Sequence, residues 1–223
     1  MALRIEMEHA RQVYKRAMRL FIKGGPESYC ELFSLMSQAA EEGSVEATAA
    51  LGTFYDYGIG TKKSAARAVR LYRMAARAGN PDAQYNLGLA LYEGRGVKRD
   101  KKEAVRWFRK AAGKGLAEAV YQLGYCYRYG HGVRRNPAKG FQLEMQSAES
   151  GYLEAQFSVG VCYSKGEGVS ADPKEAFRWF LKAARRGHKD AAHNVAHYYE
   201  TGRGVRANPK KAALWYSRES AAA

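Results

Sequence analysis

The chain has 223 residues, 46% hydrophobic and 12% aromatic, enough apolar material for a continuous core. No run approaches the roughly 18 apolar residues that a membrane-spanning helix needs, so the chain reads as soluble. With 37 Lys and Arg against 22 Asp and Glu the formal net charge is +15, which disfavours cationic partners and makes anionic ones worth seeking.

In chain order, residues 4–22 place Ile5, Val13, Met18, Leu20, Phe21 and Ile22 at the spacing of an amphipathic helix. Residues 1–27 are therefore expected to form a capping helix and turn at the N-terminal end of a repeat array. From residue 28 the sequence repeats itself. Leu51-Gly52, Leu87-Gly88, Leu123-Gly124 and Val159-Gly160 recur every 36 residues, and Val195-Ala196 takes the next place. The glycine pairs 58/60, 94/96, 130/132, 166/168 and 202/204 keep the same step, as do Ala39-Ala40, Ala75-Ala76, Ala111-Ala112, Ser147-Ala148 and Ala183-Ala184. A half repeat at 28–43 precedes five repeats that start near 46, 82, 118, 154 and 190, the array running to 220. Residues 221–223 read as a vector-derived tail. A period between 20 and 50 residues means stacked supersecondary units that each touch mainly their neighbours. The fold class expected is all-α, a right-handed α-solenoid of helix-turn-helix repeats.

Each repeat reads as helix A, turn, helix B. In the second, Asp82 to Glu93 carries Ala83, Leu87, Ala90 and Leu91 at helical spacing behind Asn80-Pro81, a cap followed by a proline suited to the first helical position. The glycine after helix A suits a left-handed C-terminal cap, and Val97, Val133, Val169 and Val205 then turn back toward the core. Helix B starts at Asp100, Asn136, Asp172 and Asn208. Asp100/Glu103 and Asp172/Glu175 have the spacing of capping boxes. The alanines and glycines at the helix ends allow close helix crossings.

The pattern A-x-x-x-L-G-x-x-Y-x-x-G-x-G-V-x-x-D/N-x-x-x-A-x-x-W-x-x-x-A-A-x-x-G, best kept from Ala83 to Gly115, resembles the Sel-one-like repeat (SLR) family, relatives of the tetratricopeptide repeat. The last repeat lacks the glycine of the Leu-Gly pair. The resemblance implies a non-catalytic protein-interaction scaffold or adaptor that binds a partner's peptide or helix on the concave face formed by the A helices. Carried onto this sequence, that face comprises Tyr57, Tyr85, Tyr92, Tyr121, Tyr125, Arg128, Tyr129, Phe157, His193 and His197. It is rich in tyrosine, which offers large contact area with few rotatable bonds and a polar tip. Tyr121→Ala with Phe157→Ala is expected to leave stability nearly intact. The resemblance assigns Tyr55, Tyr127, Tyr163 and Tyr199 to core packing, and the shared column of Trp107, Trp179 and Trp215 reads as packing between repeats.

The alternative is a binder of nucleic acid or an acidic lipid surface through helix B cations, represented by Arg70, Arg106, Arg109, Lys110, Arg178, Lys182 and Arg185. That stripe breaks where Gln142, Glu144, Gln146 and Glu149 replace the cations. Catalysis has little to work with. His193 and His197 stand one turn apart with Glu200 following, yet lack the glutamate directly after the first histidine and any nearby ligand cluster, so no metal and no cofactor is expected. The Gly-x-Gly turns follow helices rather than strands and are not phosphate loops. A third reading, a hydrolase acting on a cell-wall-type substrate, comes from relatives described as having hydrolase-like activities, but those are disulfide-rich and no motif of theirs transfers to this sequence. Relatives that are secreted pair cysteines within each repeat, whereas Cys126 and Cys162 share one column at an expected separation of about 8–10 Å, beyond disulfide reach. Free thiols and the absence of a signal-peptide pattern lead to an expectation of a cytoplasmic protein, although a chain cut from a longer precursor would read the same.

Overall fold

A computed structural model describes the backbone of residues 2–221 and the side chains of residues 8–217. The side chain of Ile5 and residues 222–223 of the expected tail lie outside that range. Twelve α-helices and no strand occur among the described residues: α1 (Ala2–Lys23), α2 (Tyr29–Glu41), α3 (Val45–Tyr57), α4 (Ala65–Arg77), α5 (Pro81–Glu93), α6 (Lys101–Ala112), α7 (Ala117–Tyr129), α8 (Pro137–Glu149), α9 (Leu153–Lys165), α10 (Pro173–Arg185), α11 (Lys189–Thr201) and α12 (Pro209–Ala221). A single 3₁₀ turn, Pro26–Ser28, joins α1 to α2. The chain divides into two compact units, 1–114 with α1 to α6 and 115–223 with α7 to α12.

Local chemistry sets the helix ends. Asn80 accepts a hydrogen bond from the Ala83 amide at 2.8 Å ahead of Pro81, and Asp100 and Asn136 accept from Glu103 and Lys139 at 2.9 and 3.0 Å. The expected capping boxes are only half made. The amide of each N-cap residue donates instead to the end of the preceding helix, Asp100 to the Leu91 carbonyl at 2.8 Å and Asp172 to that of Tyr163 at 2.9 Å. Ser64, Asn136 and Asn208 do the same with Tyr55, Tyr127 and Tyr199. Helix B is thereby tied to helix A by its own cap, and the first-turn glutamates are released for other partners. Helix A ends on a left-handed glycine, for example Gly94 at φ 83°.

The two helices of a repeat close on one another through a ring laid over a glycine. A Cβ on Gly88 of α5 would stand 2.5 Å from the Phe108 ring of α6, and one on Gly160 of α9 would stand 2.6 Å from the ring of Phe180 of α10. Gly52 meets Tyr72 likewise. In the N-terminal unit Val13 and Ala17 of α1 complete a core with Leu32, Leu35 and Met36 of α2 and Leu51 and Phe54 of α3. In the C-terminal unit Phe177, Phe180, Val195, Tyr198 and Trp215 form the core of α10 to α12. Trp179 packs on Ala148, Ala155 and Val159, which joins α10 to the helices before it.

Candidate partner-binding site

The residues expected on the A-helix face fall into three groups. Tyr57 closes α3 with 71% of its surface exposed, and Tyr129 closes α7 with 42% exposed. They occupy the same place in their repeats. Tyr129 stands beside Tyr125, ring centroids 4.6 Å apart, and His131 of the following turn completes the group at 5.6 Å from Tyr125 and 6.0 Å from Tyr129. His193 and His197 of α11 are exposed too, His193 edge-on to Tyr216 at 5.5 Å and His197 Nδ1 3.7 Å from a Glu200 carboxylate oxygen. Among the described residues no group of three or more His, Cys, Asp or Glu is placed to hold a metal ion.

A second group is half-buried packing. Tyr85 and Tyr92 flank Phe108 at 6.0 and 6.5 Å, and Lys101 Nζ lies 4.9 Å over the Tyr92 ring. Tyr121 packs on the Ala148, Ala155 and Val159 cluster and against Tyr152 at 5.4 Å, and burial raises its hydroxyl well above the ordinary tyrosine range. Phe157 is stacked on His188 at 4.3 Å and leans on Phe180 at 5.7 Å. Truncating Tyr121 and Phe157 therefore strips the core, contrary to the expectation that stability would survive it.

Arg128 forms the third group by itself. It is 4% exposed and lies inside the C-terminal unit rather than on a binding face. Its Nε is 3.3 Å from an oxygen of Glu144, which is fully buried; its two terminal nitrogens donate to Cys162 Sγ at 2.8 Å and Ser158 Oγ at 3.0 Å. Ser158 in turn donates to Glu144 at 2.7 Å, and Glu167 lies 3.8 Å from the guanidinium. Glu144 thus belongs to the interior and not to the outer stripe of helix B, where the sequence pattern set it. Burial drives the Glu144 carboxyl up while Arg128, Ser158 and Cys162 pull it back. Burial opposes the charge on Arg128, but the Glu144 carboxylate overrides it and holds the guanidinium protonated. The Cys162 thiol is pushed up to about 12, first by burial and then by Glu144. All three cysteines are free, Cys30 exposed and Cys126 and Cys162 buried. The guanidinium also lies 4.7 Å from the Tyr129 ring centre, so the buried pair supports this exposed ring from beneath.

One interaction pattern went unread in the sequence. The penultimate residue of a helix A meets the residue between the two turn glycines of the next repeat, 39 positions on. Asp56 is ion-paired with Arg95, Arg128 faces Glu167, and Arg203 donates to the Ser164 carbonyl at 2.7 Å. The Asp56–Arg95 and Arg128–Glu167 pairs have opposite polarity, a signal visible only when positions offset by a repeat plus three are compared.

The helix B cations Arg70, Arg106, Arg109, Lys110, Arg178, Lys182 and Arg185 are all exposed. Lys110 and Lys182 lie over the Trp107 and Trp179 rings at 4.2 and 4.6 Å, and Arg178 is paired with Glu175 at 2.5 Å.

The Sel1 repeat matches the sequence five times in succession, at residues 45–80, 81–116, 117–152, 153–188 and 189–218. Among solved structures, a protective antigen of uropathogenic Escherichia coli, c5321, which displays an SLR fold, is 32% identical with a TM-score of 0.82; the match covers 97% of this chain but 46% of that one. A Sel1 repeat protein of Oxalobacter formigenes is 28% identical with a TM-score of 0.82, over 97% of this chain and 82% of that chain. The immunity protein PA5088 of Pseudomonas aeruginosa, 22% identical with a TM-score of 0.64 over 96% of this chain and 81% of that chain, shares the fold. No curated protein matches. The described fold is that of these helical-repeat solenoids, and the chain belongs to the Sel1 repeat family, whose members generally serve as protein-interaction scaffolds.

Proposed function

We propose that this chain is a non-catalytic adaptor that binds a segment of another protein through the aromatic ends of its A helices, centred on Tyr129 with Tyr125 and His131 in the C-terminal unit and on Tyr57 in the N-terminal unit. The observation that carries the reading is the exposure of Tyr57 and Tyr129, at 71% and 42%, in a fold that buries or half-buries most of its other rings. Tyrosine at a surface loses little rotamer freedom on binding and covers much area, which is why it anchors interfaces. The rings are also held in place before binding. Tyr129 rests on Arg128, whose own position is set by Glu144, Ser158 and Cys162, so little ordering remains to oppose association.

The test is nuclease-treated affinity capture with the wild type, a Tyr57→Ala/Tyr129→Ala variant and an Arg106→Glu/Arg178→Glu/Lys182→Glu variant. A protein partner lost only with the aromatic variant supports the adaptor reading. Recovery that collapses with nuclease or moderate salt, and with the charge reversal alone, moves the function to the basic face of helix B.

A further inference from the structure

We propose that α1 docks this protein on an anionic lipid bilayer. The helix buries Ala10, Val13 and Ala17 against the first repeat and turns Arg11, Lys15, Arg16, Arg19 and Lys23 outward. The acid described on the outer face, Glu8, is occupied by the Gln12 amide at 2.9 Å. Of the cations, Arg16 faces Glu31 at 3.3 Å. Two consecutive large apolar side chains are exposed at the C-terminal end of the helix, Ile22 at 75% on the basic face and Phe21 at 53% in line with Ala10 and Ala17. Ile22 continues the stripe of Lys15 and Arg19, and Gly24-Gly25-Pro26 then turns the chain away.

The occupant follows from the combination. A cationic face that ends on the exposed Ile22, with the exposed Phe21 ring beside it at the same end of the helix, matches the boundary of an anionic bilayer, where the cations stay among headgroups and the apolar helix end enters the acyl margin. Nucleic acid would use the cations and leave Phe21 and Ile22 in water. A second copy of the same face would bring five cations against five. No described helix is long and apolar enough to cross a membrane, so the contact is peripheral. This surface is separate from the aromatic one of the adaptor reading, and either can fail without the other.

The experiment is co-sedimentation of the full chain with vesicles of phosphatidylcholine alone or mixed with phosphatidylglycerol. Binding is expected only with the anionic lipid and is expected to weaken as salt rises. Phe21→Ser with Ile22→Ser should weaken it about tenfold. Arg11→Glu, Lys15→Glu and Arg19→Glu together should weaken it by about a hundredfold or more, at about fivefold per cation removed. Circular dichroism of both variants should match the wild type, because every substituted residue is exposed. Equal binding to neutral vesicles, or no binding to anionic ones, overturns the proposal. So does anionic binding that survives both α1 variants but fails with the Arg106/Arg178/Lys182 reversal. Duplex DNA binding that needs the α1 cations and ignores Phe21 and Ile22 would reassign the face to nucleic acid, and loss of a dimer in the apolar variant by light scattering would reassign it to a second copy.

Discussion

Two helix pairs at the same place in the repeat, α5/α6 and α7/α8, close their interfaces by opposite chemistry. In α5/α6 the Phe108 ring covers Gly88, Ala104 lies fully buried, and Tyr92 flanks the phenylalanine. In α7/α8 the same three helix positions hold Glu144, Gly140 and Arg128. Without the ring or the methyl group the backbones approach: a Cβ on Gly140 would lie 2.8 Å from the Gly124 carbonyl oxygen and 2.8 Å from the Arg128 amide. The space an aromatic would fill goes to an ion pair, whose desolvation is offset by Ser158 and Cys162 of the next helix. One repeat scaffold therefore tolerates an apolar or an ionic seam, provided that all the facing positions change together.

Removing Arg128 should break the second arrangement most. Arg128→Ala leaves the Glu144 carboxylate buried without its partner, and a loss of about 3–5 kcal/mol is expected in urea unfolding. Rebuilding the apolar seam with Arg128→Tyr and Glu144→Phe, as in α5/α6, should recover most of that loss. A double variant as unstable as the single one would mean that the close backbone approach, and not the charge, decides the seam.

Gly140→Ala restores the residue type found at Ala104 and Ala176 yet should destabilise by about 1–3 kcal/mol, because the methyl meets backbone atoms that cannot rotate aside. A neutral result in thermal unfolding would show that α7 and α8 separate at little cost.

The first full repeat offers a pH test of the ring-over-glycine seam. Burial raises the Tyr72 hydroxyl from 10.0 to about 12, so the folded state holds this proton more tightly than the unfolded chain. Its contribution is complete below pH 10 and is lost as pH rises toward 12. Tyr72→Phe should lose about 1 kcal/mol at neutral pH with the Thr53 hydrogen bond and show a shallower alkaline decline, read from urea midpoints across that window. An unchanged slope would place the alkaline sensitivity on other tyrosines.

Tyr129→Ala should have the smallest effect on folding, under about 1 kcal/mol, although its ring lies over Arg128. A larger loss would make Tyr129 part of the ionic seam and not an exposed anchor.

Much of the fold is legible from spacing. The step of 36 residues, the caps at Asn80 and Asp100 and the left-handed glycines are local, and each helix begins and ends within a residue or two of where those signals put it. Legibility fails where a residue's face depends on its partner. Glu144 looks like a break in an exposed stripe although the other repeats carry Tyr72, Phe108 and Phe180 at that place, and only the pairing with Arg128 explains a carboxylate there. Tyr121 and Phe157 read like Tyr57 and Tyr129, since an aromatic at helical spacing does not say whether a neighbouring helix covers it.

The sequence by itself determined the all-α repeat, its period, its helix boundaries and its family, because caps, glycine turns and apolar periodicity act within one repeat or between adjacent ones. Tertiary structure alone decided which rings remain in contact with water and that Arg128 and Glu144 are inside. Burial is a property of the packed neighbours, and a side chain three or four residues from either edge of a helix face is turned inward or outward by what the next helix places against it.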